Sequence, residues 1–307
     1  MPSELLSIGI PTRNRARYLE DLLLGLEAQI RGAGLSPEVV KVYVSDNCST
    51  DRTPEIVGQL AAKSPHFVYS RQRQNVGAGR NVMTCARLAR GQYCWVCGDD
   101  ELLIEGGLSS LLGALEADRD LALVVNLDTN YACPLQRPAR FPSYREFALA
   151  CAREKPHILA EHTLISSNVF RTDLFDQAVA EARLATDFCH MYAVLNSLIE
   201  RGGAVLLPAF GLITVRARRA PCVDGEWPAN LEQSWLDYLR WQKEKMGLEE
   251  LRPEAAIEHV RRVLFHKLSR HPLRYVRDNL PAVVQPQAWA FILKRLWLHL
   301  RWRRRGS

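Results

Sequence analysis

The sequence predicts an α/β protein in which helices cover both faces of a doubly wound mixed sheet, with a helical extension behind it. Two observations support this fold class. Over the first 130 residues, short apolar or β-branched segments alternate with segments whose leucines recur at helical spacing. From about residue 220, strand signals vanish and helical patterns punctuated by prolines remain. We therefore expect a main domain at residues 1–218 and an extension at residues 219–307.

The alternation in the N-terminal half predicts a mostly parallel sheet, because each pair of strands is separated by a helix. The predicted strands are Leu5–Ile10, Val39–Val44, His66–Ser70, Tyr93–Cys97 and Leu121–Leu127. The predicted helices between them are Arg17–Ile30, Thr53–Ala62, Gly77–Ala89 and Leu108–Glu116. Ligands of such sheets bind at the carboxyl ends of the strands. The polar segments after the first, second and fourth strands should therefore meet at one edge.

The pattern beyond residue 140 is mixed and then becomes helical. The predicted helices are Tyr144–Arg153, Thr172–Ala182 and Phe188–Glu200, and the predicted strands are Ala204–Leu207 and Gly211–Val215. The extension is predicted to hold three helices, at Leu231–Lys245, Pro253–Leu268 and Pro286–Arg305.

The positive charge of the chain is concentrated at its end. The chain carries 40 Lys and Arg, 34 Asp and Glu, and a net charge of +6. Residues 294–305 contain six of the basic residues and no acid, so the rest of the chain is balanced. This distribution argues against a nucleic-acid enzyme with a basic channel. It favours a terminal patch that meets an anionic surface.

The remaining global features indicate a cytoplasmic protein. The N-terminus lacks the basic and long apolar regions of a secretory signal, and no apolar run is long enough to cross a membrane. The eight cysteines are scattered through the chain, as in proteins with reduced thiols. Cys94 and Cys97 form a Cys-x-x-Cys pair, but positions three apart in a strand point to opposite faces. A redox or zinc role is not expected for them.

The most informative cluster follows the strand Tyr93–Cys97, where Asp99, Asp100 and Glu101 are consecutive. Adjacent carboxylates repel one another, so a cation or hydrogen-bond donors must compensate them unless the turn is simply solvated. Hard divalent cations prefer carboxylate oxygens and bridge to substrate phosphates. The residues alone leave both interpretations open, a metal and phosphate site or a solvated acidic turn.

Two further segments add polar groups to the same edge. Asp46 ends another strand, and Ser49, Thr50 or Asp51 can cap the following helix, which leaves Asp46 free to accept from a base or ribose. The segment that begins at Asn75 opens a helix with small residues, including Gly77 and Gly79. It is not a dinucleotide fingerprint, because valine stands at the third glycine position and no acid follows at the required distance.

Four segments in order resemble one enzyme family. They are Ser7-Ile-Gly-Ile-Pro-Thr-Arg-Asn14, Ser45-Asp-Asn-Cys-Ser-Thr-Asp51, Asn75-Val-Gly-Ala-Gly-Arg-Asn81 and Gly98-Asp-Asp-Glu101. Through them, residues 5–216 resemble family 2 glycosyltransferases of GT-A fold, above all the abequosyltransferase-like and rhamnosyltransferase-like enzymes of bacterial surface polysaccharides. The resemblance implies an inverting transfer of a sugar from a nucleoside-diphosphate donor to an acceptor hydroxyl. It also implies Mg²⁺ or Mn²⁺ as the cofactor.

The resemblance assigns a role to individual positions. The first-strand loop would wall the nucleotide pocket, one acid would bond the base, an arginine would lie near the base and diphosphate, and a second acid would face the ribose. In that order the residues are Pro11, Thr12 and Arg13, then Asp46, Arg80 and Asp99. Asp100 would ligate the metal. The chain departs from the family's Asp-x-Asp pattern at Cys97, where some members carry an acid, so Asp100 is the expected direct ligand.

The family also requires a base near the start of a later helix, and Asp187 matches that position. An acid at a helix start also has a structural explanation, since it caps the helix and complements its dipole. His190 lies one turn further on and would contact acceptor or diphosphate unless it is a core or surface histidine. Glu161 and His162 form a weaker acid/base alternative. The segment Ser166–Arg171 matches one that lies beside the acceptor site in the family.

The expected acceptor is a lipid-linked saccharide at the inner face of a bacterial membrane. The C-terminal tail supports this expectation, because its apolar stripe and flanking cations are typical of a helix that lies on an anionic membrane. The tail would otherwise pack on the main domain. The protein is therefore expected to be cytoplasmic and peripheral to the cytoplasmic membrane. Two other functions remain open, a sugar nucleotidyltransferase and a non-catalytic nucleotide-sugar-binding subunit.

Overall fold

A computed structural model describes residues 4–126, 138–156, 158–186, 188–215 and 231–258. The strands are β1 Leu6–Thr12, β2 Val40–Asp46, β3 Phe67–Arg71, β4 Tyr93–Val96, β5 Glu101–Leu103, β6 Leu121–Val125, β7 Ala139–Phe141, β8 Asn168–Arg171, β9 Ala204–Leu207 and β10 Ile213–Val215. The helices are α1 Ala16–Gly32, α2 Thr53–Lys63, α3 Ala78–Leu88, α4 Gly107–Ala117, α5 Tyr144–Glu154, α6 Ile158–Glu161, α7 Gln177–Ala182, α8 Cys189–Arg201 and α9 Leu231–Met246. Asp187, the predicted boundary at 218–219 and the basic tail lie outside the described residues.

Eight strands form one mixed sheet in the order β3-β2-β1-β4-β8-β6-β9-β7. β1, β2, β3 and β4 pair in parallel, as their separation by helices predicts. β8 lies antiparallel between β4 and β6, and β7 is antiparallel to β9. A separate two-stranded ribbon pairs β5 with β10. The predicted fold class, a doubly wound mixed sheet, is confirmed.

The helices cover both faces of the sheet because side chains along each strand alternate between two apolar cores. β4 shows this alternation. Cys94 and Val96 belong to the core shared with α3, α5 and α8, whereas Tyr93, Trp95 and Cys97 belong to the core shared with α1 and α4. Cys94 and Cys97 are both buried as free thiols, so the expectation that the Cys-x-x-Cys pair faces in two directions is confirmed.

The prediction of one continuous helix at Thr172–Ala182 is wrong. The structure has a 3₁₀ turn at Thr172–Leu174 and then α7, which begins after Asp176. The Asp176 side chain accepts hydrogen bonds from the backbone N–H groups of Ala178 and Val179, at 2.9 and 3.1 Å. This side-chain cap starts a new helix. The preceding strand β8 was not predicted, because its four residues are too few to show an alternating pattern.

The first helix of the predicted extension is part of the core. Trp235, Tyr238 and Leu239 of α9 are buried in the same apolar cluster as α5 and α8. The ring of Trp235 stacks on Phe188 with centroids 6.1 Å apart, and its indole N–H donates to the Thr163 hydroxyl at 2.8 Å. α9 therefore shares a core with the sheet and its helices. No helix within the described residues is long and apolar enough to span a membrane.

Candidate active site

Polar side chains from β1, β2 and the β4 turn converge at the carboxyl edge of the parallel strands. Thr12 and Asp46 are register partners at the ends of β1 and β2. Asp99 lies three residues beyond the end of β4, and the Thr12 hydroxyl donates to its Oδ2 at 2.7 Å. The predicted meeting of the polar segments after strands one and four is thus confirmed for these side chains.

Asp99 is one of two buried members of the acid cluster, with 6% of its surface exposed against 8% for Glu101. Arg15 lies opposite it, with Nε 2.8 Å from Asp99 Oδ1. Burial raises the pKa of Asp99 to about 6, although the Arg15 charge and the Thr12 hydrogen bond act in the opposite direction. The carboxyl group is therefore held between desolvation, which favours the neutral acid, and a guanidinium, which favours the carboxylate.

Asp100 differs from Asp99 in its access to solvent. Its side chain is 42% exposed, and Oδ2 forms an ion pair with Nη2 of Arg15. Glu101 turns inward instead and accepts a hydrogen bond from the Ser166 hydroxyl at 2.6 Å. The three consecutive acids thus have three environments, and Asp100 is the carboxylate most accessible to a ligand.

Ser166 fixes the backbone of the acid turn. Its hydroxyl oxygen accepts the N–H of Gly98 at 2.9 Å while it donates to Glu101, and its carbonyl accepts the indole N–H of Trp95 at 2.9 Å. The segment expected beside the acceptor site therefore lies directly against the acid turn. The sequence does not predict its contact with Gly98, because a serine among other polar residues gives no indication of which distant residue it will bind.

Asp46 is fully buried, and its carboxylate already accepts two hydrogen bonds and forms one ion pair. Its Oδ1 accepts the N–H of Ser49 at 2.8 Å, and its Oδ2 accepts the Tyr69 hydroxyl at 2.7 Å and lies 3.4 Å from Nε of Arg71. The expectation that Asp46 is free to accept from a base or ribose is therefore not met in this structure. The N-cap position of α2 is Arg52, which makes no side-chain cap, and Asp51 just before it accepts the N–H of Thr53 at 3.0 Å. Tyr69 and Arg71 of β3 were not foreseen as partners.

The asparagines of the recognised motifs join the loops to one another. The Asn47 amide donates to Asn75 Oδ1 at 2.8 Å, and Asn47 Oδ1 accepts the N–H of Val76 at 2.8 Å. Asn81 of α3 accepts from the Ser45 hydroxyl at 2.7 Å and donates to the Ser45 carbonyl at 3.0 Å. These bonds give the motif positions a structural role, since they hold α3 against the strand ends.

A close approach of α3 to β1 requires glycine at position 9. A Cβ atom added to Gly9 would lie 2.7 Å from the Cβ of Cys85, which is shorter than real side chains allow. The approach brings the N-terminus of α3 to the same edge, where Arg80 is exposed in the first turn of the helix. Of the predicted first-strand loop residues, Arg13 is exposed and Pro11 is half-buried at the end of β1.

His190 is a core histidine, which was the structural interpretation of this residue. It is buried on α8, and its Nε2 donates to the Thr163 carbonyl at 3.1 Å. Burial lowers its pKa to about 4, so the ring is neutral at physiological pH. His162 is also buried, contacts the Tyr144 hydroxyl at 2.9 Å and lies against the ring of Phe147, which places it in the same core. The predicted base, Asp187, lies outside the described residues.

The donor set at the acid turn fits a hard divalent cation that takes most of its ligands from elsewhere. Within the described ranges, no group of three or more His, Cys, Asp or Glu side chains could enclose a metal ion. Asp100 offers one exposed carboxylate beside the buried Asp99. Mg²⁺ characteristically binds through one or two carboxylates, several waters and substrate phosphates. Asp100 would hold such a cation directly.

Comparison with known proteins agrees with this arrangement. The family model described as glycosyl transferase family 2 matches residues 7–173, more than half of the chain. Abequosyltransferase RfbV of Salmonella typhimurium is 35% identical over 127 residues, which are 41% of this chain and 37% of that protein. The chain therefore aligns with well under half the length of this curated relative.

Solved glycosyltransferases share the fold. The mannosyltransferase PcManGT from Pyrobaculum calidifontis, solved with GDP-Man and Mn²⁺, has a TM-score of 0.57 and 15% identity, over 96% of this chain and 80% of its own. TarS 1–349 of S. aureus has a TM-score of 0.54 and 16% identity, over 82% and 68% of the two chains. At such identities the likeness shows the fold alone, the GT-A fold. The family model covers more than half of the chain, including most of the sheet and the acid turn. The chain therefore belongs to glycosyltransferase family 2.

Proposed function

We propose that the chain transfers one sugar, with inversion, from a nucleoside-diphosphate donor to an acceptor hydroxyl. The observation that supports this most directly is the pair of carboxylates after β4, one buried against Thr12 and Arg15 and one exposed. The same strand edge carries the exposed cations Arg13 and Arg80. An edge that combines carboxylates with cations suits a ligand in which a diphosphate joins two sugars.

The residues divide into a donor side and a metal side. Thr12 and Arg15 hold Asp99 in one position, where it would face the donor ribose. Asp100 would be the direct protein ligand of Mg²⁺ or Mn²⁺. When bound, the cation would neutralise charge that develops on the nucleoside diphosphate leaving group. Pro11, Arg13 and Arg80 would line the nucleotide, while Asp46 would act indirectly by fixing the loop that contacts the base.

Asp187 is the proposed base. It immediately precedes Phe188 and helix α8, whose buried face packs into the core. In an inverting single displacement, Asp187 would take the proton of the acceptor hydroxyl as its oxygen attacks the anomeric carbon. A base on the acceptor side and a cation on the leaving-group side would act on opposite faces of that carbon.

The proposed acceptor is a lipid-linked saccharide of bacterial surface-polysaccharide synthesis. The similarity to an abequosyltransferase supports a role in such a polysaccharide. The tail sequence supports a membrane-bound acceptor, because six basic residues and Trp297 and Trp302 are grouped within residues 294–305. The protein would then work as a peripheral protein at the inner face of the cytoplasmic membrane.

A turnover assay with nucleotide sugars, with and without Mn²⁺, tests the proposal. A thermal-shift panel of UDP, GDP, CDP and dTDP first identifies the base, because a ligand that binds the native state raises the melting temperature. A glycosyltransferase then releases the nucleoside diphosphate when acceptor is present. In a parallel assay that supplies a nucleoside triphosphate and a sugar phosphate, release of pyrophosphate would instead indicate a nucleotidyltransferase. Nucleotide binding without product, in every acceptor and metal condition, would indicate a binding subunit.

A further inference from the structure

Arg15 is shared by both carboxylates of the acid turn. The residue immediately precedes α1, and its side chain is 17% exposed. Nε lies 2.8 Å from Asp99 Oδ1, and Nη2 contacts Asp100 Oδ2. The guanidinium also lies over the ring of Tyr18, 5.2 Å from its centroid, which limits the directions in which it can turn.

The two ion pairs of Arg15 are unequal. Asp99 has an 8% exposed side chain, and its other oxygen is bound by Thr12, so Nε faces a fixed and desolvated partner. Asp100 has a 42% exposed side chain, and solvent-exposed ion pairs contribute little to stability. Because different nitrogens make the two contacts, the pair with Asp100 can break while the pair with Asp99 is kept.

We propose that Arg15 is a built-in counter-ion that competes with the divalent cation for Asp100. In the nucleotide-free protein, Nη2 of Arg15 neutralises Asp100 and lowers its affinity for a metal ion. A cation that binds Asp100 displaces Nη2, while Nε continues to hold Asp99. This inference rests on the proposed role of Asp100 as the metal ligand, and it adds Arg15 as a positioning residue that sets how strongly the metal binds.

The competition has a consequence for the order of binding. A divalent cation that approaches Asp100 in the empty protein meets a guanidinium that already occupies the carboxylate. The nucleoside diphosphate is negatively charged and attracts both the Arg15 guanidinium and the divalent cation. With it present, each of the two cations has an anionic partner. Metal and nucleotide should therefore bind with positive cooperativity, each raising the affinity for the other by the same factor.

The test measures Mn²⁺ affinity without nucleotide, from the electron paramagnetic resonance signal of free Mn²⁺. We expect Arg15→Gln to bind Mn²⁺ about tenfold more tightly than the wild type, because a positive charge is removed within a few ångströms of the ligand. Arg15→Lys should give a smaller gain, because an ammonium keeps the charge but lacks the fork that bridges two carboxylates. Arg17→Gln removes an equally charged, exposed side chain from the first turn of α1 and should change the affinity by less than about twofold.

Two outcomes separate this inference from the proposed function. If Arg15→Gln binds Mn²⁺ no more tightly than the wild type, yet Asp100→Asn abolishes binding, the metal site stands and the competition is refuted. If Asp100→Asn in the Arg15→Gln background keeps the gain, then Mn²⁺ binds elsewhere and both ideas fail. Thermal melting of each variant verifies the fold, and Arg15→Lys decides the question if Arg15→Gln does not fold.

Discussion

At the scale of single residues, adjacent acids differ because the turn after β4 points them in different directions. Asp99 faces Thr12 and is buried, whereas Asp100 faces solvent. Burial raises the pKa of Asp99, so its charge depends on the neighbouring guanidinium. Asp99 is therefore suited to a fixed structural contact, whereas the exposed Asp100 is suited to a ligand that binds reversibly.

The difference between the two acids predicts different kinetic defects. Asp100→Asn should abolish metal-dependent turnover and weaken binding of the nucleoside diphosphate, because it removes the accessible anionic ligand. Asp99→Asn should mainly raise the Michaelis constant for the donor, since it disturbs the contact with Thr12 and Arg15. Steady-state kinetics over a range of Mn²⁺ concentrations measures both effects. Near-wild-type activity of Asp100→Asn in Mn²⁺ would show that the metal ligand is another residue.

The proposed base predicts a defect in turnover with little change in donor binding. Asp187→Asn should lower kcat by about two to four orders of magnitude, the usual effect of losing a general base. The dissociation constant of the nucleoside diphosphate should stay nearly unchanged. Glu161→Gln is the matched control, because Glu161 is the alternative acid that the sequence offers. Tolerance of Asp187→Asn, together with a large loss in Glu161→Gln, would move the base to Glu161.

At the scale of elements, hydrogen bonds to Thr163 join α8 and α9, and two buried histidines lie beside this residue in the chain or in space. His190 donates to the Thr163 carbonyl, and Trp235 donates to the Thr163 hydroxyl. Burial lowers the pKa of both His162 and His190 to about 4, from the ordinary value of 6.5. The folded protein therefore excludes protons that the unfolded chain binds between pH 4 and 6.5.

This exclusion predicts that acid weakens the fold through the histidines. Because the unfolded chain binds more protons in that window, the free energy of unfolding falls as pH drops from about 6.5 to 4. Asp99 has the opposite effect on the free energy of unfolding, because its raised pKa means that the folded state binds more protons at this site than the unfolded chain does. His190→Gln keeps a donor for the Thr163 carbonyl but cannot titrate. Between pH 7 and 4.5 it should lose on the order of 2 kcal/mol less stability than the wild type in urea unfolding. Equal losses would show that His190 is protonated in the folded state.

Elements with a strong local pattern were predictable, and those that depend on distant contacts were not. The leucines of α1 and the β-branched run of β2 were recognised within one or two residues of their bounds. The short strands β5, β7 and β8 were missed, because each has three or four residues and is defined by its partners. The dependence on distant contacts also limits what the sequence predicts about the site. The acid cluster was visible in the sequence, but its contact with Arg15 depends on how α1 begins beside the β4 turn.

At the scale of the whole molecule, a basic tail would complement a catalytic edge that acts on a membrane-bound acceptor. Residues 289–300 place Trp289, Leu293, Leu296 and Leu300 at three- and four-residue spacing, with basic residues beside and after them. Near an anionic leaflet each basic residue contributes about 1 kcal/mol before ordering costs. Six such residues would give several kcal/mol at low salt.

Truncation of the tail tests the membrane role. A chain that ends at Pro286 should stay folded and hydrolyse donor slowly, yet no longer sediment with anionic liposomes. A full-length chain in which Arg301, Arg303, Arg304 and Arg305 are changed to Gln is the matched control, and it should lose binding in proportion to the lost charge. The membrane role is wrong if truncation leaves liposome binding intact, or if the full-length protein ignores anionic lipid at low salt.

The position of β8 also affects how the chain folds during synthesis. β8 separates β4 from β6, so the sheet cannot close across its centre until Asn168–Arg171 has left the ribosome. At translation rates of about 5–20 residues per second, the interval between β4 and β8 lasts on the order of ten seconds. During that time β4 presents an unpaired edge with Cys94 and Trp95, the kind of edge to which another strand can pair. A fragment that stops before residue 168 keeps this edge permanently, and we expect the nascent chain to depend on holding chaperones until β8 arrives.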